Sequence, residues 1–448
     1  MIAVHPAREK PPTAKLKASR RALVGSAVNG VYPSKRPRCR RHAELIRRVL
    51  ADFRASFDRQ GRDPMRAMIL AAVAAVSLTA CGRQEADKTA VAGAAAPVPA
   101  ASGGAAAVPT VAAAPEMREF RDWRAACDNG GACVAWGGSD SGWIRIAIDA
   151  GPDAQPTVTA GSWSLGDIGK APESLSLKID GRDYALRSGP RDAANAVASA
   201  EQARQIIAAL PASRTLALAS GAQTADLPSS GISAALLWID ERQGRLDTTT
   251  ALLRRGARPA SSVPAAPALP RVTPAPAVSQ AGFEGAANPM ADAPRALTVP
   301  AAIEGLKEVK ACRAEGNDDL NKAVLAARLD GSTVLWGIPC GSGAYNATYV
   351  LYLARPDGSG VRPAALPERT PRTEGDIGGQ GPWLVNPIYD PQRQTLTVFP
   401  RGRGLGDCGT ITTWTWSSGA FVQSEERSMG DCWGMSSDVW PTLWRTRG

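Results

Sequence analysis

Short runs in which apolar and polar side chains alternate, cut by Gly, Asp and Pro, dominate the chain from residue 121 onward. The runs Arg121–Ala126, Ala132–Trp136, Trp143–Asp149, Thr157–Trp163, Ser174–Ile179 and Tyr184–Arg187 predict strands of an antiparallel sheet. The period then changes. Ser199-Ala200-Glu201-Gln202 reads as a capping box, and Ala203, Ile206, Ile207 and Leu210 share one helical face before Pro211 ends it. A second helix is predicted where Ile232, Ala235, Leu236 and Ile239 recur at helical spacing, with Ser230 as N-cap and Gly244 as stop. Both apolar stripes are expected to pack on the sheet, making residues 117–256 an α+β domain.

Residues 300–448 predict a mainly antiparallel β domain, almost without helix. Strand patterns cover Val324–Leu329, Thr333–Ile338, Ala347–Ala354, Leu384–Tyr389, Thr395–Phe399, Thr410–Trp416 and Phe421–Glu425. Hairpin chemistry joins several of them, at Asp330-Gly331, Asp357-Gly358 and Ser418-Gly419. A sandwich, a half-open barrel and a curved sheet all satisfy this pattern. Between the two domains, residues 257–299 read as a Pro/Ala linker, because nine prolines from Pro259 to Pro300 forbid a regular helix or a central strand.

Upstream of residue 117 the pattern is of another kind. Met65–Cys81, MRAMILAAVAAVSLTAC, has one arginine, an apolar core of about a dozen residues and small residues before Cys81, the layout of a lipoprotein signal peptide (65–80) too short to span a bilayer. Cys81 is the expected lipidation site. Residues 81–116, rich in Ala, Pro and Gly, read as a flexible tether. Residues 1–64 carry 16 Lys and Arg against 5 acids and no sustained apolar period; they read as a mis-assigned, disordered upstream extension, with Met65 the expected start.

That reading changes the charge. The formal +10 includes 17 of the 52 basic residues and 5 of the 42 acidic ones within the first 80 positions; beyond them 35 basic face 37 acidic residues, a net charge of −2. A near-neutral chain has no general pull toward nucleic acid, and none is expected as a partner. The expected partners are a membrane, through the lipid, and an envelope protein or glycan. Gly82 after the cysteine, where an aspartate would suggest inner-membrane retention, favours the periplasmic face of the outer membrane.

Both histidines, His5 and His42, also lie upstream of Met65, so the exported part has no imidazole for Ser-His-Asp or Cys-His chemistry. No lysine beyond residue 81 has a serine three residues before it, so a local Ser-Lys dyad is absent too. Carboxylates such as Asp240, Asp407 and Asp431 remain for acid–base work, without a motif to single any of them out. A binding or structural module is the favoured reading, and a carboxylate-dependent envelope hydrolase or a glycan-binding protein the alternative. No cofactor is expected.

Six cysteines remain after Cys81: Cys127, Cys133, Cys312, Cys340, Cys408 and Cys432. An even set suits an oxidising compartment, and the order along the chain favours Cys127 with Cys133, Cys312 with Cys340 and Cys408 with Cys432. With no CxxC spacing and no histidine, no metal site is expected. Two glycine-rich turns lie beside these cysteines. Arg401–Gly409 reads as a bulged strand end presenting Cys408; the alternative is a nest for phosphate or carboxylate formed by its backbone N–H groups with Arg401 and Arg403. Cys340–Asn346, with Tyr345 and Asn346, reads as a tight turn. Trp414 and Trp416 share one strand face, fit either for the core or for stacking on sugar rings. The candidate ligand residues are thus Arg401, Arg403, Trp414, Trp416, Tyr345 and Asn346.

Several landmarks together carry a resemblance. Phe120-Arg121-Asp122-Trp123, Cys127-Asp128-Asn129 and Cys133, Trp238 to Arg245, Cys340 to Asn346, Arg401 to Gly409 and Trp440 to Thr446 resemble the bacterial family called domain of unknown function 1176, over residues 119–448. The front half is also similar to the exported invasion-associated locus B proteins. The resemblance implies a cell-envelope protein with no established activity, and it assigns no catalytic residue.

Overall fold

The computed structural model describes residues 114–165, 174–188, 195–289, 297–369 and 383–448, which are mostly antiparallel β-sheet with few helices. The upstream extension, the signal peptide, Cys81 and the tether up to residue 113 lie outside the described residues.

The front half is built on ten antiparallel strands: Glu116–Phe120 (β1), Trp123–Cys127 (β2), Cys133–Ser139 (β3), Gly142–Ile148 (β4), Thr157–Gly161 (β5), Leu175–Ile179 (β6), Arg182–Ser188 (β7), Asn195–Val197 (β8), Leu216–Ser220 (β9) and Gln223–Asp226 (β10). Their order is β1-β2-β3-β4-β5-β8-β7-β6-β9-β10. The sequence pattern misses β1, the three-residue β8 and the β9–β10 hairpin. It also starts β2 too early, since Arg121 sits at φ 59° in the turn that joins β1 to β2.

Two helices, Ala200–Ala209 (α1) and Ile232–Arg242 (α2), bury Ile206, Ile207, Leu236 and Ile239 in the core that also holds Trp123, Ile144 and Ile146. At α1 the capping box forms as expected: Ser199 Oγ accepts from the Gln202 N–H, and Gln202 Oε1 from the Ser199 N–H, both at 3.2 Å. At α2 the expected Ser230 cap is corrected. Gly231 is the N-cap, at φ 108°, and a Cβ there would lie 1.7 Å from the Phe120 carbonyl oxygen. Only glycine lets the chain enter the helix so close to β1; Ser230 instead accepts the Asp122 N–H at 3.2 Å on its carbonyl.

The back half contains two five-stranded sheets. One comprises Leu325–Arg328 (β11), Val334–Ser342 (β12), Ala347–Ala354 (β13), Arg362–Pro363 (β14) and Trp383–Val385 (β15); the other comprises Ile388–Asp390 (β16), Thr395–Val398 (β17), Gly409–Ser417 (β18), Ala420–Met429 (β19) and Thr442–Arg445 (β20). They face each other across Leu335, Tyr349, Leu351 and Leu353 on one side and Leu396, Trp414, Trp416 and Phe421 on the other, a sandwich core. Along β13, Val350, Tyr352 and Ala354 point the opposite way. That second face is covered by two short helices the sequence pattern does not reveal, Ala301–Glu304 (α3) and Lys307–Glu315 (α4), through Ile303, Val309 and Cys312; a third, Asp318–Lys322 (α5), packs Leu320 against the sandwich core instead. Val309 and Cys312 are the only buried residues of α4, too few to show an apolar period.

The expected strand Leu384–Tyr389 is also corrected. Asn386, at φ 49°, breaks it into β15 and β16, which belong to different sheets. Its side chain holds that strained backbone in place: Oδ1 accepts the Ala347 N–H and Nδ2 donates to the Phe399 carbonyl, both at 2.9 Å.

The proline-rich stretch forms no helix or named strand between Val263 and Ala287, yet it is hydrogen-bonded to the back half. The N–H groups of Val272 and Ala275 donate to the carbonyls of Arg447 and Trp416, while Ala286 and Ala287 carbonyls accept from Ala326 and Tyr389. It therefore covers backbone edges of both sheets that would otherwise be open to pairing.

A fourth apolar cluster joins the halves. Ala126, Val134, Trp136 and Trp143 on the outer face of the front sheet pack on Met429, Met435, Trp440 and Leu443. Strands β2 to β4 are buried on both faces as a result, whereas β7 and β10 of the same sheet keep one exposed face.

Candidate functional site

The two glycine-rich turns meet each other. Asn346 Nδ2 donates to the Arg401 carbonyl at 3.0 Å, the Arg401 N–H donates to Asn346 Oδ1 at 3.1 Å, and Tyr345 Oη donates to the Gly402 carbonyl at 3.1 Å. Arg403 forks onto Asp407 at 2.7 and 2.5 Å, and its guanidinium lies 4.7 Å from the Trp163 ring centroid. Arg401 stacks on Phe399. Burial raises the Asp407 carboxyl, but the Arg403 fork and the Gly434 N–H together hold it below its ordinary value. The loop thus spends its arginine fork and much of its backbone on itself. It presents Cys408 to Cys432, one of three disulfides; the others join Cys127 to Cys133 and Cys312 to Cys340.

Trp414 and Trp416 are each 1% exposed and sit between the two back sheets. Their indole N–H groups donate to the Pro367 carbonyl and to Asp330 Oδ2. Neither ring has a face free to stack on a sugar, so the structure separates them from Arg401, Arg403, Tyr345 and Asn346, which it brings together.

Trp238 to Arg245 is likewise inward-facing. Asp240, fully buried, accepts three backbone N–H groups, from Leu252 at 2.7 Å, Leu253 at 2.8 Å and Arg254 at 3.2 Å. Arg245, also fully buried, donates to Gln243, Thr250 and the carbonyls of Asp149 and Gly151. These residues fasten the segment after α2 to the end of β4, which is a folding role.

The residues that sequence reasoning missed line a cleft of about 290 Å³ between the front sheet and β20. Its wall on the front side is Arg145 of β4 with Thr157 and Gln155; Thr442 and Arg445 close it from the back half. Asp128 ion-pairs with Arg445 at 2.5 Å and accepts the N–H groups of Gly130 and Ala132 at 2.8 and 2.9 Å. Burial outweighs those partners and raises the Asp128 carboxyl above its ordinary value. Chemically, the cleft offers charge recognition and hydrogen bonding; its lining includes neither histidine nor serine. One signal was available: in Gly142-Trp-Ile-Arg-Ile-Ala-Ile148, Arg145 is the sole charge in an otherwise apolar strand.

A disulfide-linked, layered β protein with a charged cleft at an internal seam is the class these features define. The chain belongs to the family described as protein of unknown function DUF1176, which it matches over residues 117–447. It is similar to the uncharacterized protein YpfG of Escherichia coli (strain K12), 30% identical over 352 residues that cover 75% of this chain and 94% of that protein. No solved structure matches the chain.

Proposed function

We propose that this is a lipid-anchored cell-envelope protein whose folded part, from residue 117 on, works as a binding module. The observation that carries this reading is the use of all six cysteines beyond Cys81 in disulfides, a cysteine economy suited to an oxidising compartment. The signal-peptide pattern ending at Cys81 supports the same address, with translation starting at Met65 and the anchor on the periplasmic face of the outer membrane. The likeness of the front half to invasion-associated locus B proteins points the same way. Binding is favoured over catalysis because the seam cleft gathers charges and hydrogen-bonding groups without a nucleophile and base in contact.

Two experiments test the proposal. Cys81→Ala should move the protein from the membrane pellet to the soluble envelope fraction, and a wild-type protein already in the soluble fraction would remove the anchor. Crosslinking in intact cells should recover a discrete partner; recovery of the monomer alone would count against a protein-binding role.

A further inference from the structure

Arg145 sits on the face of β4 that the back half covers, in a cross-strand row with Arg124, Trp136 and Thr159. Its row-mate Arg124 has carboxylates of its own, Asp431 at 3.0 Å and Glu119 at 3.4 Å. Arg445, across the cleft, has Asp128. Among the described residues Arg145 closes no ion pair, and its Nε is buried from solvent without an acceptor. Burial pulls its pKa down to about 10, although Asp149 and Asp438 work against the drop from a distance. A guanidinium stays charged in a protein, so the charge is kept in a desolvated setting with no counter-ion in contact. The cation opens onto the cleft of about 290 Å³, with Thr157, Gln155 and Thr442 around the same space.

We propose that Arg145 anchors a ligand in this cleft by its oxyanion, a carboxylate or a phosphate, with Thr157, Gln155 and Thr442 as the neighbouring hydrogen-bonding groups. The guanidinium fork matches either group with two parallel hydrogen bonds. The volume, at the small end of ligand pockets, suits a small organic acid or a phosphate. Of the two carboxylates that line the cleft, Asp128 is already paired with Arg445, and Asp149, which makes no ion pair with Arg145, is the one that an incoming anion has to outcompete. This site rests on the reading of the protein as a binding module but not on its anchor or its address.

The test is thermal unfolding of the purified full-length protein titrated with succinate or inorganic phosphate, against chloride at matched ionic strength. At least one anion should raise Tm by about 2 °C or more at saturation, and which anion does so identifies the chemical source. Arg145→Met should abolish the rise while leaving the Tm of the ligand-free protein unchanged or higher, because it removes a charge without a partner. Arg145→Lys, which keeps the charge but not the fork, should raise the midpoint concentration several-fold and keeps the idea testable if the Met variant fails to fold. The site is overturned if neither anion acts beyond chloride, if both variants respond like the wild type, or if the ligand-free Tm of Arg145→Met falls by several degrees. A failed titration beside a successful Cys81→Ala fractionation would remove the site alone.

Discussion

Asn129 and Arg445, 316 residues apart, pair as if they were opposite positions in a sheet: Asn129 Nδ2 donates to the Arg445 carbonyl and the Arg445 N–H donates to Asn129 Oδ1, each at 2.9 Å. The fully buried amide supplies one donor and one acceptor to β20, an edge that no further strand of its own sheet covers. Asp128 adds the ion pair to the Arg445 side chain. Adjacent residues of one turn thus hold both the backbone and the side chain of the same arginine, and they set the width of the seam cleft.

Asn129→Ala should therefore weaken the whole molecule, leaving the Arg445 N–H and carbonyl unpaired in a partly buried place. Two partly buried backbone groups without partners correspond to a loss of about 1–3 kcal/mol. Urea unfolding measures this; a loss below about 1 kcal/mol would mean that water replaces the amide without penalty and that the seam is looser than the geometry implies.

Asp240→Ala should be at least as severe. It would strip three backbone N–H groups of their acceptor and remove the carboxylate nearest in charge to Arg245. A loss of about 3–5 kcal/mol is expected from the broken buried network. The Asp240→Asn variant separates charge from hydrogen bonding, since its amide oxygen still accepts; it should recover part of the loss. Circular dichroism melts of the two variants decide this, and an Asp240→Ala protein as stable as the wild type would return Asp240 to the candidates for chemistry.

Most strands were legible because one or both faces are apolar at period two, as in Tyr349 to Ala354, where every residue is buried and the two faces serve different cores. The capping box at Ser199 was legible because its chemistry is local. What stayed hidden depends on distant partners. Gly231 caps α2 because Phe120 approaches it, and Asn386 breaks a strand because Ala347 and Phe399 reward its side chain. Helix α4 buries little and is tied down by Cys312–Cys340. The seam cleft joins residues on either side of the proline-rich stretch, so no spacing rule along the chain points to it. Trp414 and Trp416 share a strand face, as expected, but alternation alone does not say whether that face meets solvent or a second sheet.

Asp407 predicts a pH dependence. Its carboxyl is held below the ordinary value, so its contribution is complete above the usual carboxylate range, near pH 4, and is lost as pH falls through the lower folded value. Asp407→Asn should be less stable than the wild type by about 1–2 kcal/mol at neutral pH, with the difference closing as the solution is acidified below about pH 4. Chemical unfolding at several pH values measures the gap. A gap that is independent of pH would show that shape, and not charge, holds Arg403 and the Gly434 N–H.

The three disulfides should contribute unequally. In the chain-entropy account a bridge stabilises by restricting the unfolded chain, more so for longer loops. Cys312–Cys340 and Cys408–Cys432 close separations of 28 and 24 residues, whereas Cys127–Cys133 closes 6. The first two should each be worth about 3–4 kcal/mol and the third about 2 kcal/mol. The short bridge is also redundant in the fold, because Cys127 and Cys133 already stand opposite each other in the β2–β3 ladder. Cys408–Cys432, by contrast, fixes the loop that carries the Arg403–Asp407 pair, and a Cβ on Gly402 would fall 2.7 Å from Cys408 Sγ, so the loop is moulded on the bridge itself. Pairwise Cys→Ser variants unfolded in urea should rank Cys127–Cys133 as the least damaging to lose. If it proved the most damaging, loop entropy would not be what these bridges supply, and strain released in the hairpin would have to be sought instead.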